Sequence, residues 1–274
     1  RAEYIRVILS ELNRVTSHLM FYGAFGADVG AITPFLYGFR ERERTQALFE
    51  SVSGARMMHG YFRVGGLSQD VPTDFVERVK ELIPFLRQGI REMDDLLGGN
   101  EVFLTRTKGV GVLTAEAAIE LGVSGPVLRA CGLAEDLRRT DPYSVYDRFQ
   151  FDVPIGQNGD CYDRYWVRMQ EMYESLKIIE QAVDQLPDGS VVAQLPRGIL
   201  RPPKGEVYVR GENPRGEFGV YLVSEGKDKP YRVKIRGPSF CNLMALDILL
   251  RDAYIADSVV IFGSIDIVLG DVDR

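Results

Sequence analysis

Asp28 is the residue with the clearest chemical potential in this sequence. It lies in the run GADVGA, where small residues separate two apolar helical stretches. A carboxylate in such a break can face a cavity, where desolvation raises its pKa and allows it to carry a proton. A helix cap or a turn residue is the structural alternative. His59, one of two histidines with His18, lies near a predicted helix end, where proton transfer and a structural role are both open.

Several common catalytic motifs are absent from the sequence. There is no GxxxxGK[ST] loop for phosphate, no GxGxxG run after a strand for NAD, and no GxSxG elbow. Neither histidine has a His or Cys partner at metal-ligand spacing. The cysteines Cys131, Cys161 and Cys241 are far apart, which predicts free thiols and no metal bound by cysteine. Considered alone, the chain therefore lacks an obvious catalytic set, which fits a subunit whose chemistry comes from its neighbours.

Two charged clusters are expected to be structural. Asp160 and Asp163 begin a predicted helix, where acidic side chains complement the helix dipole and can pair with Arg164. Asp136 and Arg138 predict an ion pair.

Composition is that of a globular protein with one large domain or two smaller ones. The 274 residues are 45% hydrophobic and 26% charged, and the net charge of −6 argues against nucleic-acid binding. The apolar stretch at 259–269 is too short to span a membrane and contains Asp266. Membrane association would therefore come through partner subunits. The helical pattern is already under way at Arg1, which predicts that the parent protein continues upstream.

Hydrophobic periodicity predicts four long helices, at 1–25, 40–61, 73–97 and 160–186. Thr73 would cap the third and Pro84 would kink it. The charged run from Arg40 to Arg44 predicts a solvated face or a subunit interface.

The remaining segments predict shorter elements. Residues 101–158 would mix short strands with a helix capped by Thr114 and stopped by Gly122. A Pro-rich linker at 195–204 precedes predicted strands at 206–210, 218–224 and 231–236, with 225–229 as the loop of a hairpin. A helix at 240–251 and a strand at 258–261 would follow.

The predicted fold class is α+β and mainly α, a long helix bundle with a small antiparallel sheet. Three parts are expected. They are a helical core with a mixed segment (1–194), a small antiparallel β subdomain (195–237), and a C-terminal helix and strand that return to the core (238–274).

Long runs across the chain resemble one family, the 49-kDa-type subunit of respiratory complex I, which is designated D in the bacterial enzyme and H in the chloroplast-type enzyme. The runs are AEYIRVILSELNR from Ala2, DVGAITPF from Asp28, FRERE from Phe39, SGARMMHGYFRVGG from Ser53, DVPIGQNGDCYDRY from Asp152, GEFGVYLVS from Gly216, PYRVKIRGPSF from Pro230 and GSIDIVLGDVDR from Gly263.

The resemblance implies common ancestry with the large subunit of nickel–iron hydrogenases, which ends in D-P-C-x-x-C-x-x-H. Here Val268 and Asp271 occupy the two cysteine positions, and Arg274 occupies that of the histidine. Valine cannot ligate a metal, and nickel–iron sites need thiolates. The fold is implied without the metals, and a working hydrogenase is contradicted at this end of the chain.

In the family, the vacated metal cavity is the head-group end of a quinone chamber that faces an iron–sulfur cluster of a neighbouring subunit. Asp28 matches the aspartate that orients a quinone-site histidine; that histidine and a tyrosine belong to sequence before Arg1. Many relatives have a histidine near the cluster at the position of Met58, whereas here His59 follows one residue later. On a helix that shift is a rotation of about 100°, so the role of His59 stays open.

The resemblance implies quinone as substrate, no NAD or metal on this chain, and peripheral-arm and membrane-arm subunits of the complex as partners. It implies a peripheral location on the cytoplasmic side of the inner membrane and a proton-pumping enzyme. The electron donor is left open between NADH, ferredoxin and deazaflavin. The alternative is a metal-free scaffold subunit of a related hydrogenase-type or deazaflavin/ferredoxin:quinone oxidoreductase complex. The segment 195–205 is also shorter than in several relatives.

Overall fold

The computed structural model describes residues 1–194 and 201–273. The predicted linker at 195–204 therefore lies largely outside the described residues, as do Arg274 and the first part of the predicted β subdomain. Among the described residues the chain is mainly helical with two small antiparallel sheets, which confirms the predicted α+β class.

Four long helices form the centre of the fold. They are α1 (Ala2–Asp28), α2 (Thr33–Ser53), α3 (Phe75–Leu97) and, after shorter elements, α8 (Cys161–Asp184). α1 packs against α2 and α8, and α3 also packs against α2 and α8. The apolar positions that gave α1 its helical period, Ile5, Ile8, Leu12, Val15 and Leu19, are all buried in the resulting core.

The shorter elements follow the chain between and after these helices. They are β1 (Phe62–Arg63), β2 (Gly66–Leu67), α4 (Glu101–Thr107), α5 (Ala115–Glu120), α6 (Pro126–Ala130), α7 (Leu137–Thr140), β3 (Gly205–Asn213), β4 (Gly216–Ser224), β5 (Arg232–Arg236), α9 (Pro238–Leu243), α10 (Leu246–Leu249), α11 (Ser258–Ile265) and α12 (Leu269–Val272), with 3-10 turns at Tyr146–Arg148 and Ile255–Asp257.

The predicted bounds of the second helix were wrong at both ends. Pro34 lies in the first turn of α2, where a missing N–H has no cost, so the helix begins at Thr33. Gly54 adopts the left-handed conformation, with φ of 75°, and ends the helix. Residues 54–61 are consequently not helical, and His59 lies on an irregular segment.

Four further predictions need correction. Residues 101–158, all of them described, hold short helices and no strand, although Thr114 does cap α5 by accepting from Ala117 N. The helix predicted at 240–251 is divided into α9 and α10. The strand predicted at 258–261 is the start of α11, because Val260, Ile261, Ser264 and Ile265 are buried with helical spacing against α1 and α8. Thr73 does not cap α3, whose N-cap is Asp74.

The three-stranded sheet has the order β3-β4-β5, and the predicted hairpin between its last two strands is confirmed. The register pairs Val209 with Val220 and Val220 with Ile235, so their side chains share one face. Val207, Leu222 and Val233 form the next row of that face. Val209 is 62% exposed and Val233 is 47% exposed. The aliphatic face is therefore largely open in this chain.

A buried ionic contact ties the helices to the segments outside them. Glu11 on α1 is fully buried and accepts hydrogen bonds from Arg14 Nε at 3.2 Å, Arg138 Nη1 at 2.9 Å, Ser175 Oγ at 2.7 Å and Tyr146 Oη at 2.6 Å. The arginines and these hydrogen bonds hold the pKa of Glu11 below its ordinary value against the opposing effect of burial. One carboxylate thus joins α1, α7, α8 and the 3-10 turn at 146–148.

Replacing this carboxylate should be costly. Glu11→Gln keeps the shape but leaves Arg14 buried without its counter-charge and Arg138 paired with Asp136 alone, so we expect a loss of about 3–5 kcal/mol in the free energy of unfolding. Urea denaturation at pH 7 measures it. Asp184→Asn, which removes an exposed pair with Lys80 (2.9 Å), is the control and should cost less than about 1 kcal/mol. Equal losses of stability in the two variants would contradict the role of Glu11 as a buried ionic contact.

Candidate functional site

Asp28 is the last residue of α1, and its carboxylate lies against α11. A Cβ added to Gly263 of α11 would clash with Asp28 Oδ2, so only a glycine permits this approach. The side chain keeps solvent access on its other side. Partial burial raises the pKa of Asp28, as the sequence led us to expect. The carboxylate is therefore accessible, with a pKa above its ordinary value.

The turn after Asp28 connects α1 closely to α2. Ala31 N donates to Gly26 O at 2.8 Å, and Gly30 has φ of +100°, which favours glycine. A Cβ on Gly26 would be 2.6 Å from Pro34 Cβ, so the two helices approach closely at this point. The small-residue break thus serves the α1–α2 turn as well as the carboxylate.

His59 lies at a different place in the fold. Its ring stacks on Phe49 with centroids 4.5 Å apart, and its Nδ1 is 3.2 Å from Ala55 O. Met58 beside it has φ of 56° and is 97% exposed. Because this segment is not helical, the expected 100° rotation between positions 58 and 59 does not apply. Met58 and His59 both line the same cavity.

That cavity has a volume of about 330 Å³ and a largely apolar lining. Phe49, Tyr61 and Phe62 form part of its wall, together with Glu212 and Asn213. On α1 the lining extends to Asn13. Asn13 and Asp28 are 15 residues apart on one helix, about 22 Å. The structure therefore does not bring Asp28 and His59 together.

A buried cluster of charges beside this cavity was not foreseen as a unit. His18 Nε2 lies 2.8 Å from Glu171 Oε2, and Arg129 Nε donates to Glu171 Oε1 at 2.8 Å. Arg129 Nη1 also donates to Glu212 Oε1 at 2.9 Å. The ion pair expected between Asp136 and Arg138 is confirmed, at 2.7 Å. The available signal was charged residues at core positions of an apolar helical pattern, namely Glu11, Arg14 and His18 on α1.

The cluster at the start of α8 is structural, as expected, with one correction. Asp160 caps the helix by accepting from Asp163 N at 2.8 Å. Arg164 does not form the expected pair with these acids; it donates to Ser264 Oγ at 2.9 Å and to the carbonyls of Gly159 and Gly111 at 2.8 Å each. Its guanidinium thereby attaches α11 to α8. The three cysteines are free thiols, with Cys161 buried.

Comparison with known proteins identifies the family. Residues 28–274 match the model of the family described as respiratory-chain NADH dehydrogenase, 49 Kd subunit. The chain is similar over its full length to the D-type subunits of NADH-quinone oxidoreductases, of which it covers about three quarters. It is 52% identical over 74% of the protein from Desulforamulus reducens, 53% over 75% of that from Bacillus mycoides and 54% over 75% of that from Dehalococcoides mccartyi.

The chain belongs to the family of the 49-kDa subunit of respiratory-chain NADH dehydrogenase. The resemblance that the sequence runs suggested is thus confirmed. Within the described ranges, this 49-kDa-type chain has no helix long and apolar enough to cross a membrane.

The C-terminal segment of this 49-kDa-type subunit is held by arginines and a serine. Arg215 Nη2 donates to Asp266 Oδ1 at 2.9 Å, and Arg168 Nε lies 3.9 Å from Asp266 Oδ2. Ser239 N donates to Asp271 Oδ2 at 2.8 Å, and Val268 N donates to Ser239 Oγ at 3.3 Å. Val268 and Asp271 therefore both bond to Ser239. Arg274 is outside the described residues.

Residues 1–194 and 201–273 contain no group of three or more His, Cys, Asp or Glu side chains arranged to hold a metal. Val268 offers no ligand atom, and Asp271 is bonded to the backbone of α9.

The raised pKa of Asp28 predicts how its replacement depends on pH. The folded chain binds this proton more tightly than the unfolded chain, so ionised Asp28 opposes folding above its folded pKa and this opposition disappears as the pH falls. Asp28→Asn should melt at or above the wild-type temperature at pH 7, and the difference should shrink as the pH is lowered toward about 4, near the ordinary aspartate pKa. Thermal melts across this range test it.

Glu92→Gln is the control of opposite sign. The hydrogen bond from Arg40 lowers the pKa of Glu92, so that carboxylate stabilises the fold at neutral pH and loses this contribution as the pH falls. The control should melt below the wild type at pH 7. An Asp28→Asn variant that behaved like Glu92→Gln would refute the raised pKa.

Proposed function

We propose that this chain is the subunit of an NADH:quinone oxidoreductase complex that forms part of its quinone-reduction site. Membership of the 49-kDa family supports the assignment of this chain to the complex, since the relatives are named as subunits of NADH-quinone oxidoreductase. The observation that carries the site is Asp28, an accessible carboxylate with a raised pKa held against Gly263. The fold is proposed to descend from that of nickel–iron hydrogenases, with Val268 and Asp271 in place of metal-binding cysteines.

The proposed chemistry is proton-coupled. Reduction of a quinone to a quinol takes two electrons and two protons. The electrons come from an iron–sulfur cluster held by a neighbouring subunit. Asp28 orients the quinone-site histidine that relatives carry in the sequence before Arg1, and its raised pKa suits it to share a proton with that histidine. The contribution of this chain is to hold that carboxylate in a fixed, partly desolvated position. His59 is proposed only as a neighbour of the iron–sulfur cluster, and no proton transfer is assigned to it.

Partners are proposed to cover surfaces that this chain leaves apolar. Met58 is 97% exposed and Ile255 is 92% exposed, and the aliphatic face of the sheet around Val209 is open. Such surface is typical of interaction sites. The proposed partners are the peripheral-arm and membrane-arm subunits of a proton-pumping complex. The chain would lie peripherally, on the cytoplasmic side of the inner membrane.

Asp28→Asn in the assembled complex tests the proposal. Asparagine keeps the size but cannot hold the proton, so we expect quinone reduction to fall at least about tenfold. Oxidation of NADH with an artificial acceptor that bypasses the quinone should be unchanged. Full quinone reduction in an intact complex would instead favour a scaffold role for this subunit.

Gly263→Ala tests the same site without touching the carboxylate. The added Cβ would displace Asp28 Oδ2 from its place against α11, so quinone reduction should decrease although alanine favours the helix. Gly270→Ala is the matched control, since no atom lies within 4 Å of the added Cβ. Equal quinone reductase activities in the two variants would contradict the proposed position of Asp28.

A further inference from the structure

The guanidinium group of Arg215 bridges α1 and the C-terminal end of α11. Its Nη1 donates to Ser17 Oγ of α1 at 2.9 Å. Its Nε donates to Asp266 O at 2.8 Å, and its Nη2 donates to Asp266 Oδ1 at 2.9 Å. Because the guanidinium is planar and rigid, it holds the two elements at a fixed separation.

The turn that carries Arg215, between β3 and β4, is itself attached to the helical core. Arg14 Nη2 donates to Glu212 O at 2.8 Å, and Asn242 Nδ2 donates to Arg215 O at 3.0 Å. The side chain of Arg215 is largely buried, with 16% of its surface exposed. The backbone beside Arg215 is therefore anchored, and its side chain reaches α1 and α11 from a fixed origin.

The end of α11 requires contacts from outside the helix. α11 has eight residues, and its C-cap is Asp266, whose φ of 61° is left-handed and uncommon for a residue with a side chain. Such a conformation persists when surrounding contacts hold it. The last carbonyls of a helix also have no partners within the helix. Arg215 supplies a donor to the carbonyl of Asp266 and a counter-charge to its carboxylate.

Arg168 of α8 bonds to the same end of α11 but ties it to a different helix. Its Nη1 donates to Ser264 O at 2.9 Å, and its Nη2 donates to Ile265 O at 3.1 Å. These bonds attach α11 to α8. Arg215 instead attaches α11 to α1, which is the helix that carries Asp28.

The placement of α11 against α1 decides where the carboxylate of Asp28 lies. That carboxylate packs directly on the backbone of Gly263, where an added Cβ would clash with Asp28 Oδ2. Apolar packing is non-directional, so by itself it would allow α11 to slide along α1. Asp266 is three residues after Gly263, about 4.5 Å along the helix axis. A bond that holds Asp266 to α1 therefore opposes sliding close to Asp28.

We propose that Arg215 is a positioning residue for the quinone-reduction site, which holds α11 in register with α1 and thereby fixes Asp28 against Gly263. Arg215 acts through α11 and transfers no proton itself. Its effect on quinone reduction rests on the proposed function of Asp28. Its effect on the distance between Asp28 and α11 does not, so the two claims can be tested separately.

Arg215→Gln in the assembled complex gives the first test. Glutamine cannot bridge Ser17 and Asp266, so quinone reduction should fall at least about threefold. The loss should nearly vanish when Asp28→Asn is already present, because both changes then act on the same group. A role in stability alone would give the same fold loss in both backgrounds. That result would overturn the proposal, and so would full quinone reduction by Arg215→Gln.

Two further variants accompany this test. Arg210→Gln is the matched control, since Arg210 lies on the same hairpin and pairs with Asp141 at 3.2 Å. It should keep quinone reduction within about twofold of the wild type. Ser17→Ala removes only the attachment of Arg215 to α1, and it replaces Arg215→Gln if that variant assembles poorly. It should lower quinone reduction by a smaller factor, and wild-type activity of Ser17→Ala would overturn the proposal.

Electron cryo-microscopy of the Arg215→Gln and Ser17→Ala complexes tests the geometry without reference to activity. The end of α11 should move relative to α1 by about 1 Å, a displacement large enough to impair catalysis, and Asp28 should separate from Gly263. An unchanged separation in both variants would overturn the positioning role. If Asp28→Asn left quinone reduction intact, the proposed function would fail, and this measurement would still decide the role of Arg215.

Discussion

The buried carboxylate of Glu11 is the contact on which the arrangement of this fold depends. It accepts from two arginines, a tyrosine and a serine that belong to four different parts of the chain. Each donor is satisfied only if α1, α7, α8 and the turn at 146–148 lie in one relative position. Hydrophobic burial supplies the driving force for packing the helices, but it is non-directional. The ionic contacts therefore select one packing from the several that apolar faces would allow.

The same principle operates at the C-terminal segment. Arg164 and Arg168 on α8 donate to Ser264 and to the carbonyls of residues 264 and 265, and Arg215 pairs with Asp266. These contacts hold α11 against α8 and α1. Gly263 is thereby placed against Asp28, so the carboxylate owes its position to interactions of residues distant from it. The proposed quinone site and the ionic interior are parts of one arrangement.

Asp28 and His59, the two candidate site residues, lie in different parts of the fold. Asp28 lies where α1 ends against α11, whereas His59 lines a cavity toward the middle of α1 with Glu212. The proposed quinone chemistry at Asp28 and the cavity beside His59 therefore occupy different regions of this chain. Both regions face surfaces that carry exposed apolar side chains, as expected for a subunit surrounded by others.

The sequence by itself determined the family, the four long helices and the hairpin of β4 and β5, because periodicity and motifs are local properties. It could not place α11, since Val259, Val260 and Ile261 suit a strand as well as a buried helix and only packing against α1 and α8 decides between them. It could not show that Gly54 ends α2 before His59. The sequence could not predict the buried charge cluster either. Residues 11, 138, 171 and 212 become neighbours only through the tertiary structure, and their pKa values depend on burial.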